Sequence, residues 1–413
     1  MPEGWAWCRL KHVCTMAAGK AKPTDQIMTE PFEGCYPCFG GNGIRGYVDE
    51  YNQDGIFSIV GRQGALCGNI NIAKGKFYAT EHAVVTTLFS GIDFNWSNYV
   101  LEALQLNSYA TGAAQPGLSV ANVLNVFAPV PPTQEQVHIG IRIAESIKII
   151  ENIEDEKENL QTLISSAKSK ILDLAIRGKL VPQNPNAEPA SVLLERIRAE
   201  KEELIKAGKI KRDKKESIIF RGEDNSYYEK IGNEVHCIDE DIPFKIPHNW
   251  IWCRMSSISD IIMGTSPKGT SICENPQYTE FHQGKIYFSD MLIKNSGQYT
   301  RELTKIAKPN SILLCVRAPV GEVNLTDRKI CIGRGLASIS PLGAVSRYFM
   351  LYWIKAFRET LIKKATGTTF VAVTTDVVKG LLLPIPPLAE QYRITNKIQS
   401  LVENLIYIEK SLR

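Results

Sequence analysis

Several short glycine-rich stretches of this chain carry side chains suited to gripping a polyanion. Gly19–Pro23, "GKAKP", brings Lys20 and Lys22, and Phe39–Tyr47, "FGGNGIRGY", brings Asn42 and Arg45. Gly264–Gly269, "GTSPKG", brings Thr265, Ser266 and Lys268. Glycine lets a backbone approach a phosphate closely. Asparagine can bond adenine through two hydrogen bonds, and arginine can do the same with guanine. Thr111 and Gln115 in "TGAAQ", and Thr366, Thr368 and Thr369 in "TGTTF", add hydroxyl and amide groups. Arg62 and Arg317 hold matching places in two similar stretches, which suits phosphate positioning better than base choice. The alternative for each loop is a turn with solvated polar side chains.

Other chemistries find less support. Cys35 and Cys38 form a Cys-x-x-Cys pair, but no second pair or histidine pair accompanies it, and a zinc site needs four ligands. No metal and no cofactor is expected. "NPQY" (Asn275–Tyr278) faintly resembles the Asn-Pro-Pro-Tyr tetrapeptide of adenine methyltransferases, without a Gly-rich strand–turn–helix for a methyl donor, and reads as a turn. "GTSPKGT" (Gly264–Thr270) has glycines at phosphate-loop spacing but lacks the Lys-[Ser/Thr] ending. The acidic run Glu154-Asp155-Glu156 reads as a solvated helix face, and the six histidines suggest no triad. The chain is therefore expected to have no catalytic centre.

The elements that must position these loops occur twice. "PEGWAWCRL" (Pro2–Leu10) is matched by "PHNWIWCRM" (Pro247–Met255), and these two stretches hold four of the six tryptophans. "SIVGRQGALCG" (Ser58–Gly68) faces "LLCVRAPVGEV" (Leu313–Val323), and "ATGAAQPGLSVANV" (Ala110–Val123) faces "ATGTTFVAVTTDVV" (Ala365–Val378). "VFAPVPPTQEQVHIGIRI" (Val126–Ile143) faces "LLLPIPPLAEQYRITNKI" (Leu381–Ile398). Four matches in one order indicate a duplicated unit. The offset grows by about ten residues after the first match, so the second copy carries a net insertion early on. Each copy reads as short β-rich runs bounded by Gly, Asn and Pro, closing on a Pro-Pro pair that starts a helix.

From about Gln134 to Arg177 there is no proline, and Ile139, Ile143, Ile147, Ile150, Ile153, Leu160, Ile164, Ile171 and Leu174 recur mostly three or four apart. A helix of that span is about 65 Å long, with Gly178 placed to stop it. The second helix, Leu388 to about Leu412, offers Ile394, Ile398, Leu401, Leu405 and Ile408 as an antiparallel partner stripe. The expected layout is a globular domain over 1–130, a spacer helix over 131–178 and a linker over 179–246. A second globular domain over 247–387 and a second spacer helix over 388–413 follow. The linker holds a loop, a short amphipathic helix at Ser191–Ala207 and a basic run, Gly208–Lys215, which reads as solvated. Two surface helices that never meet are the alternative to the paired spacer. Trp5 and Trp7, like Trp250 and Trp252, alternate by two and are expected to share a core-facing side of a strand.

The chain carries 48 Lys and Arg against 44 Asp and Glu, a net charge of +4. Residues 247–387 hold 17 basic against 9 acidic groups, and residues 1–130 hold 8 against 10, so a polyanion suits the second copy better. No signal-like or membrane-length apolar run occurs, and ten scattered cysteines suit a reduced, cytoplasmic protein with no membrane contact.

The Trp-rich openings, the two Pro-Pro-x-x-Glu-Gln stretches and "ILDLAIRGKLVPQNPNAEPASVLLERI" (Ile171–Ile197) together resemble the specificity subunits of type I restriction-modification systems, over nearly the whole chain. The resemblance implies an α+β fold: two similar target-recognition domains with β-rich cores, separated by an antiparallel two-helix coiled-coil spacer in a pseudo-twofold internal repeat. It implies that each domain reads half of a bipartite site in double-stranded DNA. It also implies that the helices set the spacing and dock methyltransferase subunits, two of them, with restriction subunits joining the complex. The chain begins directly at the Trp motif and its final helix is the shorter one, which leaves a truncated, rearranged or phase-variable copy as one alternative. A non-enzymatic coiled-coil adaptor whose domains bind protein is the other.

Overall fold

A computed structural model describes residues 1–64, 66–112, 116–213, 216–365 and 372–412. The chain forms two compact units, Met1–Glu156 and Lys157–Arg413.

Unit 1 opens with β1 (Ala6–Arg9), then β2 (Cys14–Ala18), β3 (Tyr36–Gly40), β4 (Gly43–Val48), β5 (Gln53–Gly61), β6 (Ile70–Ala79) and β7 (Ala83–Leu88). Helices α1 (Phe94–Ala103) and α2 (Val120–Leu124), strand β8 (Phe127–Val130) and the long helix α3 (Thr133–Ile176) follow. Six strands form one sheet in the order β2-β7-β5-β6-β3-β4, in which only the β3–β6 pair is parallel. Neighbouring residues of a strand point to opposite faces. Thus Ile59 and Val85 join Phe39, Phe77 and Ala79 in one core, while Val60 and Val84 join Cys14, Leu101, Leu106 and Val123 in another.

Unit 2 contains the last turns of α3, then α4 (Ala190–Lys206) and three strands, β9 (Ser217–Arg221), β10 (Tyr227–Ile231) and β11 (Glu234–Cys237). Next come β12 (Ile251–Arg254), α5 (Met255–Ile258), β13 (Ser259–Met263), β14 (Ile272–Cys273), β15 (Thr279–His282), β16 (Tyr299–Thr300) and β17 (Ile306–Ala307). Strands β18 (Ile312–Cys315), β19 (Val323–Leu325), β20 (Ile330–Ile332) and β21 (Leu336–Pro341) precede α6 (Arg347–Ala356), α7 (Arg358–Lys364) and α8 (Thr375–Lys379). Strand β22 (Leu382–Ile385) and helix α9 (Leu388–Ser411) close the chain. Two sheets, β13-β21-β18-β19 and β14-β16-β15-β20-β17, replace the single large sheet of unit 1. The extra β14 and β16 lie in the stretch where the repeat offset grows. Alternation works as before: Ile312 and Leu314 enter one core, Leu313 and Cys315 the other.

The duplication is visible in detail. Strand β1 pairs with β8 so that Trp7 faces Pro129 and Arg9 faces Phe127; β12 pairs with β22 so that Trp252 faces Pro384 and Arg254 faces Leu382. The Pro-Pro-x-x-Glu-Gln stretch has a structural reason. Gln136 donates from Nε2 to the Pro131 carbonyl at 2.9 Å and accepts from the Asp93 N–H at 2.8 Å. Gln391 donates to the Pro386 carbonyl at 3.0 Å and accepts from the Ser346 N–H at 2.8 Å. Asp93 and Ser346 are in turn the N-caps of α1 and α6, each accepting from a backbone N–H in the first turn. One buried amide thus ties the start of the exit helix to the start of the helix beside it.

Two expectations need correction, and a third, the antiparallel helix pair, is met over part of its length. The stretch expected to be a linker, 179–246, folds onto unit 2. Its helix α4 places Leu193, Leu194 and Ile197 in the core, and a three-stranded antiparallel sheet, β9 to β11, forms after the basic run. Of the tryptophans, Trp250 and Trp252 are core, but Trp7 is 57% exposed and Trp5 half-buried. The reason is that β9 and the residues after β11 cover Trp252 through Ile219, Ile238 and Phe244, and no described segment covers Trp7. Pairing of the two long helices is confined to the end of α3. There Ile171 and Ala175 pack with Ile394 and Ile398, and Lys168 pairs with Glu409 at 2.7 Å, which makes the helices antiparallel. Ile147, Ile150 and Ile153, on the part of α3 that belongs to unit 1, are exposed.

Candidate nucleic-acid interface

In unit 1 the candidate loops converge on one end of the large sheet. The "FGGNGIRGY" turn between β3 and β4 sits beside the strand exits of β5 and β6. Gly40, Gly41, Asn42, Gly43, Arg45, Gln63 and His82 line a shared depression of about 460 Å³. Two close approaches demand glycine: a Cβ on Gly61 would lie 2.0 Å from the Gly41 carbonyl oxygen, and one on Gly19 would lie 2.0 Å from that of Ala79. Asn42 is exposed and accepts from Asn69 at 2.8 Å; Arg45 is exposed and donates to the Thr24 hydroxyl at 2.8 Å. Arg62 is anchored through its backbone, donating to the His82 carbonyl and accepting from Leu118 N–H, which leaves the guanidinium half-exposed. Thr111 bridges to Gly117 in the next loop and is exposed, as is Lys20.

Lys22 is different. Its ammonium lies 2.8 Å from Glu50 and 3.7 Å from Asp49, and only 9% of its side chain is exposed. The Glu50 hydrogen bond raises its pKa. Its charge is matched within the unit, so it holds the β4–β5 turn rather than facing outward.

Unit 2 repeats the arrangement. Thr265 follows β13 and bonds the Ile332 carbonyl from its backbone N–H at 3.0 Å; Lys268 donates its N–H to Glu302 and projects an exposed ammonium. Ser266 accepts from the backbone N–H of Arg334 at 3.3 Å. Arg334 stands between Gly333 and Gly335 on the tip joining β20 to β21, where a Cβ on Gly335 would lie 2.2 Å from the Gln283 carbonyl oxygen. The adjacent Val316 bonds the Gly335 carbonyl, which brings exposed Arg317 to the same end. Arg334 escaped the sequence reading because Gly-Arg-Gly reads as an ordinary turn. Gln115, Thr366, Thr368 and Thr369 lie outside the described residues.

Behind the unit 2 loops sits a buried charge cluster. Glu280 pairs with Arg328 at 2.7 and 3.0 Å, accepts from Ser296 N–H at 2.8 Å and meets His282 Nε2 at 2.7 Å. Burial alone would raise the Glu280 pKa, but Arg328, the Ser296 N–H and His282 outweigh it and bring it down to about 2. Burial lowers the pKa of His282. Among the described residues no group of three or more His, Cys, Asp and Glu is placed to hold a metal, and no helix is long and apolar enough to cross a membrane.

The family model for the type I restriction modification DNA specificity domain matches residues 2–162 and again 247–413. The chain belongs to that family. It is similar to the EcoprrI specificity subunit of Escherichia coli, 46% identical over 132 residues, which is 32% of this chain and 33% of that one. It is similar to the EcoEI specificity subunit of the same species, 44% identical over 260 residues, 58% of this chain and 39% of that one. The EcoAI specificity subunit matches at 26% over 345 residues, 69% of this chain and 55% of that one. The chain thus spans between a third and about half the length of these relatives. In fold it resembles the HsdS subunit from Thermoanaerobacter tengcongensis, with a TM-score of 0.57 at 20% identity over 99% of this chain and 92% of that one. A chain from a solved type I restriction-modification system gives 0.62 at 20% identity over 100% of this chain and 93% of that one. The two matched domains of this chain have mixed α and β content, and the long helix α3 leads out of the first of them.

Proposed function

We propose that each unit of this specificity-family chain reads one half of an interrupted sequence in double-stranded DNA, without catalysing a reaction itself. The observation that carries the reading is the duplicated loop cluster. In both units a glycine-packed sheet end presents exposed or half-exposed basic, amide or hydroxyl side chains. In unit 1 these are Lys20, Asn42, Arg45, Arg62 and Thr111; in unit 2, Thr265, Ser266, Lys268, Arg317 and Arg334. Asn42 and Arg45 have the donor and acceptor patterns for base edges, while Arg62 and Arg317 suit phosphate contact.

Helices α3 and α9 set the gap between half-sites, and the exposed Ile147, Ile150 and Ile153 face of α3 supports docking of helical partners, two methyltransferase subunits, with restriction subunits joining them. The complex acts in the cytoplasm, where its DNA is. The test is DNA binding by the full chain with its methyltransferase partner across a salt series. Affinity should fall steeply with salt, and Arg317→Ala should weaken binding about uniformly across sequences and flatten the log–log slope by about one. Salt-insensitive binding would favour the protein-adaptor reading, and a changed base preference would remove Arg317 from the phosphate role.

A further inference from the structure

The two opening ladders share a register, but only one is covered. In unit 2, Trp252 is 0% exposed beneath Ile219, Tyr227, Ile238, Ile242 and Phe244, with the Phe244 ring 5.2 Å away. Arg254 donates to the Gly380 carbonyl at 2.7 Å and grips Glu229 of β10 with two hydrogen bonds of 2.9 and 2.5 Å.

In unit 1, Arg9 donates to the matching carbonyl, that of Asn125, at 2.6 Å. Among the described residues no carboxylate pairs with it, and its guanidinium lies 4.4 Å from the centre of the Phe127 ring. Trp7 is 57% exposed where Trp252 is 0%, and Phe127 is 52% exposed where Leu382 is half-buried. Phe89 is 43% exposed where Leu342 is 7%, although both make the same backbone bond, to Val13 and Ile258 carbonyls respectively, at 2.9 Å.

Single exposed apolar side chains are common and need no explanation. Two large ones, Trp7 and Phe127, beside an unmatched guanidinium, on a ladder whose duplicate is covered, are a different matter. Trp7 and Arg9 alternate onto one side of β1, and Phe127 stands opposite Arg9 across the ladder.

We propose that the Trp7–Arg9–Phe127 face of unit 1 is a docking surface for a partner polypeptide that lays down an acidic β-ribbon, as 217–237 does on unit 2. The partner brings one carboxylate to Arg9, where a two-pronged pair fixes register, and alternate apolar side chains to Trp7 and Phe127. This inference does not rest on the DNA reading of the loops.

The test uses a ribbon whose fit to the duplicate surface is known. The segment 216–246 is fused through a flexible linker ahead of Met1 of the full chain, which gives it a high effective concentration. Hydrogen exchange is then read at residues 5–9 and 126–130, with β5 and β7 as the check that unit 1 stays folded. Exchange at the face should slow by about tenfold or more. Arg9→Glu in the fused chain should abolish that protection, and Glu229→Arg in the fused ribbon should restore it. A blue shift in tryptophan emission should accompany docking and vanish in Trp7→Phe. Unchanged exchange at the face, or protection indifferent to the charge at position 9, overturns the proposal.

Discussion

Unit 1 and unit 2 are copies that have kept one kind of stabilisation and diverged in another. Both use the same β-ladder, the same glutamine clamp and the same alternation of strand residues into two cores. Unit 2 adds a layer made by α4 and β9 to β11, and with it buried ion pairs: Glu229 with Arg254 beneath the layer, and Glu280 with Arg328 behind the loops. The place of His282 and Glu280 in the parallel β15–β20 pair is held in unit 1 by Phe39 and Pro37 on β3. Apolar packing is forgiving of pH and salt, whereas a buried pair is not. The lesson is that a shared frame leaves each copy free to choose what surrounds it, so equivalent residues need not matter equally.

The strongest way to break this comparison is at the tryptophans. Trp252→Ala removes a fully buried ring and should cost about 3–5 kcal/mol. Trp7→Ala removes an exposed one and should stay within about 0.5 kcal/mol. The two units need not unfold together, so segment-resolved hydrogen exchange in urea is the measurement. Equal losses at the two positions would show that the layer over Trp252 contributes nothing to its unit.

The next effect is electrostatic. Arg254→Ala leaves Glu229 buried without its partner and should cost about 3 kcal/mol. Arg9→Ala removes a cation–π contact and one hydrogen bond, and should cost about 1 kcal/mol or less. Arg328→Ala should resemble Arg254→Ala, since Glu280 is left stranded in the same way.

The same pairs give unit 2 a pH dependence. The Glu229 pKa is lowered by Arg254, and that of Glu280 falls to about 2. Each carboxylate is therefore protonated in the unfolded chain before it is in the folded one, so its stabilisation is complete above about pH 4.3 and is lost as pH falls through its lowered folded value, about 2 for Glu280. His282, whose pKa is lowered by burial, acts in the same direction below about pH 6.5, because the unfolded chain takes up that proton first. Exchange measured at pH 7, 5 and 3 should show unit 2 losing protection through His282 between pH 7 and 5 and through the carboxylates below pH 5. In Arg328→Ala the part due to Glu280 should disappear.

How far the sequence carried each feature depends on the range of the interaction behind it. The long helix was readable because its apolar spacing is local, and it forms over Thr133–Ile176. The duplication was readable because Trp-x-Trp-Cys-Arg and Pro-Pro-x-x-Glu-Gln are written twice. The use of Gln136 and Gln391 was not, since their partners Asp93 and Ser346 lie some forty residues upstream. Strands β9 to β11 were missed because they follow a basic run and include charged residues such as Lys230 and Glu234, with no clear alternation. Burial at Trp7 and Trp252 could not be told apart, since it is decided by distant chain and not by the motif itself. Among the candidate contacts, residue type singled out Asn42 and Arg45, but only the fold pairs Lys22 with Glu50 and brings Arg334 beside Ser266.

The smallest prediction tests what the copies share. Replacing Gln136 or Gln391 with leucine keeps similar bulk but removes both hydrogen bonds. The Pro131 or Pro386 carbonyl and the Asp93 or Ser346 N–H are then left without that partner in a closed environment. Each change should cost about 1–3 kcal/mol, by the penalty of leaving buried polar groups unmade. If the clamp is a feature of the duplicated frame, the two costs agree within about 0.5 kcal/mol, because the sites share no partner and are measured in separate units. A cost at Gln136 with none at Gln391 would mean that the loop before α4, where Gln183 bonds the neighbouring Glu390, has taken over the joint in unit 2. Exchange of the Asp93 and Ser346 N–H groups reads the two outcomes directly, since those are the ones the amides release.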